Sequence, residues 1–172
     1  MVARACGSVN RAEDATLTAA VITVSDGAFF GTRVDTSGPA LVERLSSSGF
    51  SVVSTQLVPD EPAQLRYALR FAASVARLVC TTGGTGLGPR DQTPQTVTEM
   101  LDYEVNGLGE QMRAVGVKST EFAMTSRSLG GVIGGSLILV LPGSPRGAVE
   151  SLDAVLGVIA HALDLLAGKT AH

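Results

Sequence analysis

The chain alternates short runs of apolar, often β-branched residues with longer segments whose apolar side chains recur every three or four positions, the pattern of strands followed by amphipathic helices. Residues 17–24 read as a first strand that runs directly into Ser25-Asp26-Gly27, a turn signature. Over residues 37–45, Ser37 offers a cap, Pro39 sits near the first turn, and Leu41, Val42 and Leu45 share a helical face before Gly49 ends it. Residues 50–58 alternate as a second strand, and after Pro62 the spacing of Leu65, Leu69, Ala72 and Ala73 predicts a second helix. Residues 78–81 form a brief buried strand. Beyond Pro94, the positions of Val97, Met100 and Leu101 predict another helix and residues 108–117 a further one, with Gly107 and Gly109 as interruptions. Residues 129–133 and 137–141 read as adjacent strands joined by Gly134-Gly135, which is hairpin chemistry. The final segment, 148–167, repeats Val149, Leu152, Val155, Leu156, Ile159, Leu163 and Leu166 at helical spacing, with Gly157 placed to divide it.

This order predicts an α/β fold: a three-layer αβα sandwich with a mostly parallel central sheet and an antiparallel edge hairpin. Ligands of such sheets bind outside the carboxyl ends of the strands, so the loops after the strands are where chemistry is expected. Residues 1–16 contain Arg4, Arg11, Glu13 and Asp14 and no continuous apolar stretch; they read as a flexible tail rather than a secretory signal, leaving 17–172 as a single domain.

Composition narrows the function classes. With 172 residues, 45% hydrophobic and 17% charged, the chain has the balance of a globular domain with a sizeable core. A net charge of -3 offers no broad positive field for a nucleic-acid backbone, so any phosphate must be gripped locally. The apolar run 137–141 falls far short of the roughly 20 residues a membrane helix needs. Neither a nucleic-acid nor a membrane partner is expected. Two cysteines, Cys6 and Cys80, and two histidines make neither a disulfide framework nor a zinc site.

Four strand-end segments carry candidate chemistry. Thr82-Gly83-Gly84-Thr85-Gly86 lets successive backbone N–H groups face an anion, or else is a plain glycine-rich turn. It lacks the Gly-Lys-Ser/Thr of a nucleotide-triphosphate loop, and Pro89 occupies the third glycine position of a dinucleotide fingerprint. Just beyond it, Arg90 could hold phosphate oxygens in a bidentate manner and Asp91 could ligate magnesium; alternatively the two are an exposed pair and Thr93 a helix cap. Asp60, after the second strand, could share a cation with Asp91 or could cap the next helix beside Glu61. Pro142-Gly143-Ser144 offers backbone donors and a hydroxyl before a helix, or forms a sharp turn. Ser25-Asp26 and Ser126-Arg127 also read as ordinary cap and turn residues.

Taken together, Ser25-Asp26, Pro59-Asp60-Glu61, the Thr82 to Gly86 loop with Pro89-Arg90-Asp91-Gln92-Thr93-Pro94, Ser126-Arg127 and Leu141-Pro142-Gly143-Ser144 resemble the MogA/MoaB family, gephyrin's G domain included. The resemblance implies a molybdopterin-binding domain and a Mg2+-dependent nucleotidyltransferase that moves AMP from ATP to the terminal phosphate of molybdopterin and releases pyrophosphate. It implies that Asp60 and Asp91 are catalytic and hold the metal. Ser25, Asp26, Thr82, Gly83, Gly84, Thr85, Gly86, Arg90, Ser126, Arg127, Pro142, Gly143 and Ser144 would bind substrate. It further implies a cytoplasmic protein, a homotrimer or dimer of trimers, and a molybdenum-insertion protein as a partner. Asp35-Thr36-Ser37-Gly38 is closer to the MoaB pattern, so a MoaB-like relative that binds molybdopterin with little transferase activity is the alternative.

Overall fold

Every residue of the strand Leu78–Thr82 is buried, and so is every residue of Ser136–Leu141. Strands that bury both sides must lie inside a sheet covered on each face. In the computed structural model, which describes residues 17–169, these are the two central strands, β3 and β6. The expected tail at 1–16 lies outside the described residues.

The elements follow in the order β1 (Thr18–Val24), α1 (Asp26–Phe29), α2 (Ser37–Ser47), β2 (Ser51–Val58), α3 (Pro62–Val75), β3 (Leu78–Thr82), α4 (Thr93–Thr98), β4 (Tyr103–Glu104) and α5 (Asn106–Gly116). A 3-10 turn (Glu121–Thr125), β5 (Leu129–Ile133), β6 (Ser136–Leu141) and α6 (Pro145–Leu166) complete the chain. The six strands lie in the order β2-β1-β3-β6-β5-β4. The first four run parallel, whereas β5 pairs antiparallel with both β6 and β4. The three-layer α/β fold with its antiparallel end is therefore present as expected, with the two-residue β4 added outside the hairpin.

Alternation along the strands sorts the core into two layers. Ala19, Val21, Leu78, Cys80, Leu137 and Leu139 face Leu41 and Leu45 of α2, Met112 of α5 and Leu152, Val155 and Ile159 of α6. Ala20, Ile22, Val79, Ile138 and Val140 face Leu65, Leu69 and Ala72 of α3 and Val97 of α4. Burying each such Leu or Ile contributes about 1.5–3 kcal/mol. Burial alone, with no neighbouring charge, pushes the Cys80 thiol up to about 12, so it stays protonated as a small apolar side chain.

Several local expectations need correction. Gly157 does not divide the last helix: α6 is one helix of 22 residues, because the apolar stripe on either side of Gly157 packs continuously on the sheet. Gly107 and Gly109 lie inside α5 rather than breaking it. A Cβ on Gly109 would come within 2.7 Å of the Ser128 carbonyl, so this glycine admits close contact between α5 and the chain entering β5. Conversely, α4 stops at Thr98, and Met100 and Leu101 fold back in a terminal turn onto Val97. Asp26–Phe29 forms a single helical turn capped by Ser25, whose hydroxyl accepts from the Ala28 amide at 3.2 Å.

Parallel register positions the site. Val24 pairs with Val58, Thr23 with Thr82, and Thr82 with Leu141, so β1, β2, β3 and β6 end in line at one edge. The segments that follow them, beginning at Ser25, Pro59, Gly83 and Pro142, are brought together although they are remote in sequence.

Candidate functional site

The glycine loop leaves β3 under steric constraint. Gly83 and Gly84 both have positive φ, 103° and 62°. A Cβ on Gly83 would lie 2.1 Å from the Val24 carbonyl oxygen, and one on Gly84 would lie 2.3 Å from Thr93 Oγ1 and 3.2 Å from Asp60 Oδ1. Only glycine lets this turn pass between β1 and α4. Gly143 presses on the same turn from β6, since its Cβ would meet the Gly83 Cα at 3.1 Å. The buried Thr82 hydroxyl donates to the Pro142 carbonyl at 2.7 Å and ties the two loops together. Ser144 then caps α6, its hydroxyl accepting from the Gly147 amide at 3.2 Å, which directs the positive end of a long helix toward the loops.

Asp60 is fixed by a reciprocal bridge. Its Oδ2 accepts the Asp26 amide at 2.7 Å while its own amide donates to Asp26 Oδ1 at 2.9 Å, two contacts across 34 residues of sequence. The N-cap of α3 is Glu61, without a side-chain capping bond, so Asp60 does not take the capping role open to it in the sequence. Asp91 has a similar arrangement: Oδ2 accepts the Gly88 amide at 2.9 Å. The second oxygen of each acid, Oδ1, makes no hydrogen bond among the described residues. Burial, followed by the like charges of Asp26 and Asp91, raises the Asp60 carboxyl above the usual carboxylate range, against the bond from the Asp26 amide.

Arg90 is committed elsewhere. Its guanidinium donates to Asp26 Oδ2 at 2.7 Å, Glu61 Oε1 at 2.9 Å and the Asp60 carbonyl at 3.2 Å. The pair holds the Asp26 carboxyl below its ordinary range, mainly through that side-chain bond, and drives the Arg90 value upward. With both carboxylate oxygens in use, Asp26 buttresses Asp60.

Two adjoining cavities open at this edge. The larger, about 440 Å³, is lined by Ser25, Asp60, Gly83, Gly84, Asp91, Gly143 and Ser144, together with Arg33, Asp35 and Ser37 of the segment leading into α2. The smaller, about 240 Å³, is lined by Thr85, Gly86, Ser126, Pro142 and Ser144, with Met112 and Phe122 on its apolar side. Ser144 belongs to both, and the glycine loop divides them, Gly83 and Gly84 on one side and Thr85 and Gly86 on the other. Arg127 lines a third depression, about 300 Å³, with Gln95 and with Asp91, which also lines the larger cavity, and donates to the Asp91 carbonyl. Asp26, Thr82 and Arg90 line neither of the first two cavities; they hold the loops that do. Arg33 and Asp35 join the site through the fold alone, for nothing in local sequence links the 31–36 segment to the glycine loop.

Fold and cavities together define an α/β domain with a glycine turn and two free carboxylate oxygens on cavities at the edge where its parallel strands end. Residues 20–161 match the family model described as "Probable molybdopterin binding domain". The molybdopterin adenylyltransferase of Escherichia coli K12 is 38% identical over 144 residues, covering 81% of this chain and 74% of that protein. A molybdenum cofactor biosynthesis bifunctional protein of Synechococcus elongatus is 37% identical over 87% of the chain, which spans only 47% of that relative's length. Among solved structures, the molybdopterin biosynthesis enzyme MoaB of Thermus thermophilus superposes with a TM-score of 0.83 at 50% identity, covering 89% of this chain and 98% of that one. The Mog protein of Mycobacterium ulcerans gives 0.81 at 36% identity, covering 87% and 98%. The chain belongs to the MogA/MoaB family of molybdopterin-binding domains in molybdenum cofactor biosynthesis.

Proposed function

We propose that the protein is a molybdopterin adenylyltransferase: the terminal phosphate of molybdopterin attacks the α-phosphorus of ATP, a new P–O–P link forms, and the bond to the β-phosphate breaks to release pyrophosphate. The observation that carries this is the presence of Asp60 and Asp91 on one cavity with Gly83, Gly84 and Ser144. A second cavity meeting the first at Ser144 supports it, because joining two ligands requires two adjoining seats. The amides of the glycine loop and the N-terminus of α6 would hold phosphate oxygens without reorganisation. In-line positioning is most of what such a transfer needs from protein.

The acids fit magnesium. Mg2+ prefers hard oxygen donors and is commonly bound through one or two carboxylates plus substrate phosphates rather than in an all-protein cage. Among the described residues no three His, Cys, Asp or Glu side chains form a cage, while Asp60 and Asp91 each present an uncommitted Oδ1. Mg2+ would be held by Asp60 and Asp91, and when bound it would neutralise phosphate charge. Ser25, Asp26, Thr82 to Gly86, Arg90, Ser126, Arg127 and Pro142 to Ser144 would bind or brace the two substrates. We further infer a cytoplasmic homotrimer or dimer of trimers that passes its product to a molybdenum-insertion partner; among the described residues no helix is long and apolar enough to cross a membrane.

Pyrophosphate release from ATP and molybdopterin tests the proposal. Asp60→Ala and Asp91→Ala are expected to lower turnover by about a hundredfold or more while molybdopterin affinity is largely kept, since the acids serve the cation. A wild-type chain that binds molybdopterin yet releases no pyrophosphate would establish the MoaB-like alternative, which the 50% identity to the Thermus protein favours.

A further inference from the structure

Four arginines lie around the strand-end loops. Arg90 is paired with Asp26 and Glu61, Arg146 with Glu150, and Arg127 with the Asp91 carbonyl. Arg33 forms no ion pair among the described residues. It is also the one basic side chain among the described residues lining the larger cavity, where Asp35, Asp60 and Asp91 supply three carboxylates. Asp35 does not pair with it; Asp35 Oδ1 accepts the Ser37 and Gly38 amides at 3.1 and 3.0 Å.

The path of Arg33 is set by Gly27. The Gly27 carbonyl accepts the Thr32 and Arg33 amides, both at 2.9 Å, which fixes the loop between α1 and α2. A Cβ on Gly27 would stand 2.9 Å from Arg33 Cδ and 3.3 Å from Cγ, so the arginine stem lies across the bare glycine. A polyanionic ligand entering a cavity with three carboxylates needs cationic compensation beyond one divalent ion. An unpaired guanidinium held at the wall suits phosphate oxygens.

We propose that Arg33 is a phosphate-binding residue of the larger cavity, aimed there because Gly27 carries no side chain. The identity of the ligand rests on the adenylyl-transfer reading; the chemistry shared by its two sources, the nucleotide's phosphate tail and the phosphate of the pterin, is an exposed phosphate group.

The test uses the full chain and its Arg33→Ala, Arg33→Lys and Gly27→Ala variants, titrated calorimetrically with Mg-ATP, inorganic pyrophosphate and molybdopterin separately. Loss of a charged hydrogen-bonded contact is expected to weaken binding roughly tenfold or more in Arg33→Ala. Arg33→Lys should fall between, since it keeps the charge but not the fork, and Gly27→Ala should weaken binding by displacing the stem. Weaker ATP and pyrophosphate binding assigns Arg33 to the nucleotide tail; weaker molybdopterin binding alone assigns it to the pterin phosphate. Unchanged affinity for all three in Arg33→Ala, or no binding of any by wild type, overturns the proposal. A wild-type chain that binds these ligands through Arg33 but transfers no AMP instead overturns the adenylyl-transfer reading.

Discussion

Replacing Gly83 by alanine probes the steric logic of the glycine loop. At φ 103° an L-residue is strained, which costs about 1–3 kcal/mol. The new Cβ would lie 2.1 Å from the Val24 carbonyl oxygen, whereas an ordinary C···O approach is about 3.3 Å. The end of β1 and the loop after β3 would therefore have to separate by roughly 1 Å, and such overpacking adds about 1–3 kcal/mol. The sum, about 2–6 kcal/mol, corresponds to a fall in Tm of roughly 4 to 24 °C for a chain of this size. Scanning calorimetry of the ligand-free protein measures it. Gly157→Ala is the opposite-signed control: it sits inside α6, with nothing within 4 Å of its added Cβ, and should stabilise by about 0.5–1 kcal/mol. A Gly83→Ala protein melting within a degree or two of wild type would refute the claim that the loop passes β1 too closely for a side chain.

Acid sensitivity should follow the Asp26–Arg90 pair. Because the folded Asp26 carboxyl is held below its unfolded value of about 3.9, its contribution to stability is complete above that pH and disappears as pH falls through the folded value. The Tm difference between wild type and Arg90→Gln should be constant from pH 5 to 7 and shrink toward pH 2.5; a difference that widens on acidification would contradict the pairing. Asp60 has the opposite sign: its raised carboxyl makes the charged form unfavourable in the fold, so cation binding should weaken as acidification protonates it, as Mg2+ titrations at a series of pH values would reveal. Thr93→Val removes a buried hydroxyl that has no hydrogen-bond partner among the described residues; with no bond lost, the ligand-free Tm should be unchanged or higher, and a drop of more than about 1 kcal/mol in urea unfolding would show that the hydroxyl is in fact satisfied.

Much of the architecture was legible because it is encoded over short range. Strand alternation, helical spacing at Leu41 and Leu45 or Leu152 and Val155, and Ser144 before Pro145 each act within one or two turns of chain. Glycine spacing was less decisive: Gly109 and Gly157 look alike as helix breakers, yet one accommodates a neighbouring chain and the other faces open space. The motif residues could be identified from the sequence, but their division of labour could not. Arg90 looks like a phosphate ligand beside a glycine loop, and only the approach of Asp26 and Glu61 shows that its Nε and Nη2 donors already hold carboxylates. Arg33 carries no local signal and reaches the larger cavity because its loop returns across Gly27. Neighbours along the chain were enough to define the elements, the glycine turn and the identity of the acids, since each of these depends on residues a few positions away. Which acids meet, which arginine stays free and where two cavities join follow from parallel strand register, which aligns the ends of β1, β2, β3 and β6 and so makes distant residues neighbours.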